Sequence, residues 1–244
     1  MTSHTETTPI ILVPGHWLGA WAWDEVVEHL AATGYRASAL TLPGLDPADQ
    51  DRAKRTLTDQ VAALDTAVRA CGAPVTLVAH SGANGPVTTL LDRSPELVER
   101  VVWVDSGPVG DGLAFAPDFP EDLAGLPLPE FDALGEQASL AGLSEATLDR
   151  FRERAVAEPA GVLREPVRLG NDARYEVPTT FVCCSLASAQ VRELATAGNP
   201  MFAEVCRFTD ARYVDLATGH WPMWSRPREL AEIIAAEVGA RPAR

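Results

Sequence analysis

Residues 75–91 constrain this chain most: a short apolar run stops at a serine, and small residues and a helical pattern follow it. Residues 75–78, mostly apolar, read as a strand buried on both faces. Gly82, Ala83 and Gly85 clear space for a sharp turn, and residues 86–91 continue as a helix. Strand, tight turn and helix in that order push the Ser81 hydroxyl beyond the end of a sheet, within reach of a substrate carbonyl. The pattern is a small-x-Ser-x-small nucleophile elbow, with Ala79 and Ala83 where glycines are usual. The plainer reading is a serine that sits among small residues by chance. The partners supplied by the rest of the chain decide between the two.

Strand-like and helix-like segments alternate along the sequence. Residues 9–13 and 36–42 read as strands, residues 23–32 and 57–70 as helices, and residues 101–104 as the strand after the elbow helix. Further on, residues 179–184 and 212–216 are strand-like and residues 229–238 form a closing helix. This order predicts an α/β fold with a mostly parallel sheet and helices on both faces. Residues 107–176 break the rhythm with prolines, scattered leucines and phenylalanines, and a helical stretch capped by Ser144. Either they are a surface loop or they form a helical cap over the sheet's C-terminal edge. The apolar side chains favour the cap, because they need somewhere to be buried. The expected organisation is a core of residues 1–106 and 177–244, with residues 107–176 inserted as the cap.

Composition excludes several classes. With 46% apolar and 22% charged residues the 244-residue chain is neither disordered nor a membrane protein. No apolar run approaches the ~18–20 residues needed to span a bilayer. Residues 1–8 are polar and lack a basic segment followed by an apolar one, which predicts no secretory signal and a cytoplasmic location. A net charge of −14 repels phosphate backbones, so a nucleic acid is not an expected partner, and neither is a membrane. Oligomeric state is left open. Cys71, Cys183, Cys184 and Cys206 have no metal-site spacing and read as core thiols. No metal or organic cofactor is expected.

A serine hydroxyl needs a base. Of the five histidines, His4 lies in the N-terminal tail, His29 on a helix, and His80 just before the serine, where it supports the turn. His220 follows the last strand and precedes the last helix, which puts it at the same sheet edge as Ser81. It is the expected base. The oxyanion needs preorganised N–H donors, expected from Gly82 and from His16 in the loop after the first strand. The His16 imidazole is also placed to line the pocket.

The segment Gly15-His16-Trp17-Leu18-Gly19-Ala20-Trp21-Ala22-Trp23 resembles the H-G-x-x-x-G-A-W-x-W opening of the plant methylesterase and hydroxynitrile lyase branch of the α/β-hydrolase fold. The ending Gly219-His220-Trp221-Pro222-Met223-Trp224-Ser225-Arg226-Pro227 is similar to that branch's G-H-x-x-M-x-x-x-P segment. The likeness covers nearly the whole chain, and the short lead into the first strand suits it. Two departures stand out. Pro14 replaces the usual histidine before the glycine, and the late strand is followed by Ser185, Leu186, Ala187 and Ser188 with no carboxylate. The acid is therefore expected elsewhere, or is absent. Asp105 ends the strand next to the elbow strand, a position used by some family members, and it keeps the nucleophile-acid-base order. Its plain alternative is a turn aspartate before Gly107 and Pro108.

The resemblance implies a serine hydrolase acting on a small to medium carboxylic ester, with Ser81, His220 and Asp105 as its triad. Trp17, Trp221, Met223, Phe115 and Phe119 are the expected apolar pocket. Hydroxynitrile lyase chemistry relies on a lysine where Trp221 stands, and dehalogenases and epoxide hydrolases use an aspartate where Ser81 stands. Lactone or thioester hydrolysis remains open. So does a ligand-binding sensor with little turnover, which the missing late acid keeps in view.

Overall fold

A computed structural model of the protein describes residues 8–239; His4 lies outside them. The main sheet has six parallel strands in the order β2-β1-β3-β4-β7-β8. These are β1 (Ile10–Val13), β2 (Ala37–Ala39), β3 (Val75–His80), β4 (Val98–Val104), β7 (Thr179–Cys183) and β8 (Ala211–Asp215). The helices of the sheet layers are α1 (Asp24–Ala32), α2 (Leu57–Ala70), α3 (Asn84–Arg93), α7 (Ser188–Thr196), the short α8 (Pro222–Ser225) and α9 (Pro227–Glu237).

The two-residue period of a strand sorts the core into two halves. Ile11, Val13, Leu77, Ala79, Val101 and Trp103 turn to one face, where Leu64 and Val68 of α2 and Val87, Leu90 and Leu91 of α3 cover them. Ile10, Leu12, Val78, Val102 and Val104 turn to the other face, under Val26 and Leu30 of α1 and Leu230 and Ile234 of α9. Every residue of β3 is buried, as its unbroken apolar run requires. α2 starts at a capping box in which the Thr56 hydroxyl accepts from the Asp59 N–H and the Asp59 carboxylate accepts from the Thr56 N–H.

The expected strands and helices of the sheet layers are present, with shifted ends. β2 is three residues long where seven were expected. It is an edge strand, and only Ala37, Ser38 and Ala39 find register partners on β1. β4 begins earlier than expected, at Val98, because Val98 already pairs with Val75.

Between β4 and β7 the chain leaves the sheet. It forms β5 (Gly125–Leu126), α4 (Phe131–Gln137), α5 (Glu145–Arg154), β6 (Glu158–Pro159) and α6 (Ala160–Arg164), with β5 and β6 paired antiparallel. Ser144 caps α5 by accepting from the Thr147 N–H. Arg150 and Arg154 of this helix lie over the rings of Trp224 and Trp21, and Phe151 is buried against Trp221 and Trp224. Several apolar residues of this segment stay at the surface. Leu113, Phe115 and Leu123 are 49%, 61% and 48% exposed, since the proline-rich stretch before β5 has no regular element to turn them inward.

The cysteine reading is corrected at one position. Cys183 and Cys184 are buried, and burial pushes the Cys183 thiol up to about 12, but Cys206 sits in an exposed turn. Among the described residues no helix is long and apolar enough to cross a membrane.

Candidate active site

The chain runs from β1 outward to β2 and returns to β3 on the other side, so the loops after β1 and β3 flank the point where strand order reverses. Crevices form at such points at the C-terminal ends of parallel strands. The loop after β1 carries Gly15, His16 and Trp17, and β3 is followed by Ser81 and Gly82.

Ser81 has φ +49°, in the left-handed region that a non-glycine residue enters at a cost of roughly 1–3 kcal/mol. The elbow is held from two sides. Ser106 Oγ donates to the Ser81 carbonyl at 2.8 Å. Gly15 packs so closely that an added Cβ would lie 2.7 Å from Ser81 Cβ and 3.0 Å from the His80 carbonyl oxygen. Only glycine fits there.

The loop after β8 brings His220 to this serine. His220 Nε2 lies 2.9 Å from Ser81 Oγ, and Nδ1 lies 2.6 Å from Asp105 Oδ2. Three further bonds fix the loop: the Gly219 and His220 N–H groups donate to the Ala141 and Ser139 carbonyls, and the His220 carbonyl accepts from His80 Nε2 at 2.7 Å. That last bond assigns the His80 proton to Nε2. Burial, reinforced by the nearby His220, pushes the His80 pKa down to about 3, so this imidazole stays neutral.

Asp105 follows β4 directly and has φ +43°. Burial alone would raise its pKa. The hydrogen bond to His220 and those from Ser185 outweigh it and hold the carboxyl below its usual range, so it is ionised near neutrality. Its oxygens accept from the Cys184 N–H at 3.1 Å, the Ser185 N–H at 2.8 Å and the Ser185 hydroxyl at 2.7 Å. The loop after β7, which has no acid of its own, thus supplies the donors that hold the acid of the neighbouring strand. Sequence reading missed Ser185. The nearest signal was a serine standing first where a carboxylate was expected.

His16 is 8% exposed, and the face of its ring lies against Gly82: an added Cβ on Gly82 would lie 2.4 Å from His16 Nε2 and 2.5 Å from both Cδ2 and Cε1. Nδ1 lies 3.0 Å from Oε2 of Glu158, a carboxylate that is 1% exposed. Oε1 of Glu158 accepts from Gln60 Nε2 at 3.2 Å. Neither Glu158 nor Gln60 carries a local motif, and only the β5–β6 ribbon brings Glu158 to the site. Trp17, at φ +67°, ties the ribbon to the loop: its indole donates to the Leu126 carbonyl and its carbonyl accepts from the Val156 N–H, both at 3.0 Å.

The expected pocket residues separate. Trp17 is half-buried beside His16, and the exposed Phe115 meets the His16 ring edge-on at 4.3 Å. Phe119 is half-buried further along, its carbonyl accepting from Arg164. Trp221 and Met223, expected in the apolar pocket, are 2% and 0% exposed. Pro222 starts α8 and turns both into the core beside Trp224, where Trp221 backs the His220 ring at 4.9 Å. Among the described residues no group of three or more His, Cys, Asp or Glu is placed to hold a metal ion.

Comparison with known proteins agrees with this architecture. The alpha/beta hydrolase family profile matches residues 10–233. Esterase PIR7B of rice (Oryza sativa subsp. japonica) is 38% identical over 102 residues, covering 38% of this chain and 37% of that protein. Probable esterase PIR7A of the indica subspecies is 34% identical over 102 residues with the same shares. The chain thus matches 37% of the length of these curated relatives. Among solved structures, an extracellular alpha/beta-hydrolase from a Paenibacillus species superposes with a TM-score of 0.76 at 20% identity, covering 96% of this chain and 100% of that one. Its description gives it structural and functional homology to tobacco Salicylic Acid Binding Protein 2. Methylesterase MES16 from Arabidopsis superposes with a TM-score of 0.74 at 14% identity over 93% and 98% of the two chains. At these identities the likeness is one of fold.

Proposed function

Since the chain belongs to the alpha/beta hydrolase family, we propose that it is a serine esterase that cleaves a small to medium carboxylic ester through an acyl-enzyme on Ser81. The observation that carries this reading is the continuous chain from Ser81 Oγ through His220 to Asp105, at 2.9 and 2.6 Å, with the serine on a strained elbow at the sheet's reversal point. The esterase names of the rice relatives and the methylesterase among the structural neighbours point the same way.

In this mechanism Ser81 Oγ attacks the ester carbonyl while His220 Nε2 takes its proton. The proton then passes to the leaving alcohol, and a water activated by the same nitrogen releases the acid. Asp105 keeps the remaining imidazole proton on Nδ1 and stabilises the imidazolium. The main-chain N–H groups of Gly82 and His16 receive the negative charge that develops on the carbonyl oxygen. In this reading residues 107–176 form the cap over the site, and the protein acts in the cytoplasm. A sensor with no turnover would have little use for an acid held by four hydrogen bonds.

Turnover of p-nitrophenyl acetate and butyrate, measured beside Ser81→Ala, tests the proposal. Hydrolysis lost in the variant supports it. A negligible rate in the wild type would favour the sensor.

A further inference from the structure

His220 owes its place to a distant stretch of chain. The Gly219 and His220 N–H groups donate to the carbonyls of Ala141 and Ser139, at 3.2 and 2.7 Å, in the turn that joins α4 to α5. Gly219 shows how closely the two turns meet. An added Cβ there would lie 2.5 Å from the Ser139 carbonyl oxygen and 2.6 Å from that of Ala141. Its φ is not positive, so this approach, and not the backbone conformation, calls for glycine. Next in the same turn, Gly142 lies against Ser225 and Thr218, whose hydroxyls are hydrogen-bonded to each other at 2.7 Å.

Helix α5 anchors this turn. Phe151 is 0% exposed, with its ring 5.4 Å from that of Trp221 and 5.0 Å from that of Trp224. Phe131 of α4 adds a further ring contact at 5.9 Å. The Trp221 ring in turn stands edge-on to the His220 imidazole at 4.9 Å. Phe151 therefore reaches His220 by two routes, through the turn that precedes its helix and through the Trp221 ring.

We propose that Phe151 is a positioning residue for the catalytic base: it seats the 139–141 turn and Trp221 so that His220 stays in line between Ser81 and Asp105. The segment between β4 and β7 then does more than line the site, and its α4–α5 half has to stay docked while the reaction runs. This role rests on the esterase reading, since a base needs holding only where the serine reacts. A displacement of about 1 Å in a catalytic group can cost about a hundredfold in rate. Without the Phe151 ring the turn loses its buried anchor. His220 serves both formation and hydrolysis of the acyl-enzyme, so the two steps slow together: kcat falls and KM stays.

The test compares wild type, Phe151→Ala and Phe208→Ala on p-nitrophenyl acetate, after circular dichroism has confirmed each fold. Phe208 controls for the loss of a buried ring, because it packs against Tyr175 and Phe181 in the other half of the core. Phe151→Ala should lose about ten- to a hundredfold in kcat, with KM within about threefold of wild type. Phe208→Ala should keep kcat within about threefold. Fluorophosphonate labelling of Ser81 should slow in Phe151→Ala by a factor similar to the loss in kcat. If Phe151→Ala does not fold, Gly219→Ala decides by the same split, because its Cβ pushes the Ser139 and Ala141 carbonyls away. A kcat within about threefold of wild type, an equal loss in Phe208→Ala, or a loss confined to KM would overturn the inference and leave the esterase reading intact. A wild type without turnover would overturn the esterase reading, and this role with it.

Discussion

His80 gives the site a measurable sensitivity to acid. Its ring is 1% exposed, donates to the His220 carbonyl from Nε2 and has no partner for Nδ1. Burial pushes its pKa from 6.5 down to about 3 in the folded protein, with the neighbouring His220 adding to the effect. In the unfolded chain the same ring titrates normally. Between those two values the unfolded state binds a proton that the folded state refuses, so stability is lost as pH falls through 6.5 towards 3. The slope from one such group is ~1.4 kcal/mol per pH unit, which makes the loss between about pH 7 and about pH 5 roughly 2 kcal/mol. Asp105, with its lowered pKa, loses stability only below the ordinary carboxylate range and so stays out of this window. His80→Gln keeps an N–H donor for the His220 carbonyl and cannot titrate. Urea unfolding of both proteins at the two pH values should show the wild type losing roughly 2 kcal/mol more than the variant on acidification. Equal losses, within about 0.5 kcal/mol, would refute the claim that His80 is buried in the neutral form.

Three further outcomes are expected. Asp105→Asn should fold normally and lose roughly 10²–10⁴-fold in kcat, measured with p-nitrophenyl acetate, because its amide cannot accept from both His220 and the Ser185 donors. Gly15→Ala should lose roughly 1–3 kcal/mol in urea unfolding and most of its turnover, since its Cβ would press on Ser81 Cβ at 2.7 Å. Phe115→Ala should leave stability within about 0.5 kcal/mol, because the ring is 61% exposed. It should also weaken the preference for longer acyl chains by up to ~0.8 kcal/mol per methylene, read from kcat/KM across p-nitrophenyl esters.

The alternation of strands and helices was legible because each strand of the sheet's centre is a short apolar run between turn residues, as in β3 and β4. The meeting of Ser81, His220 and Asp105 was legible for a related reason. Each follows the end of a parallel strand, and parallel strands deliver their ends to one edge. Local pattern fails where a side chain's surroundings come from distant parts of the chain. Nothing near Glu158 announces that a two-stranded ribbon will seat it against His16. Nor does the sequence around Trp221 show that α8 turns its ring into the core. The short β2 reflects the same limit, since an edge strand extends only as far as its single neighbour offers register partners.

The central claim is that Ser81 alone carries an activated hydroxyl, and covalent labelling tests it most directly. A fluorophosphonate reacts quickly at neutral pH only with such a group. Intact-protein mass spectrometry should show one adduct on the wild type, on the peptide containing Ser81, with Ser81→Ala unlabelled. Labelling should also slow sharply in His220→Ala, which removes the nitrogen 2.9 Å from Ser81 Oγ. A full adduct on Ser81→Ala, or a wild type that stays unlabelled while correctly folded, would contradict the account.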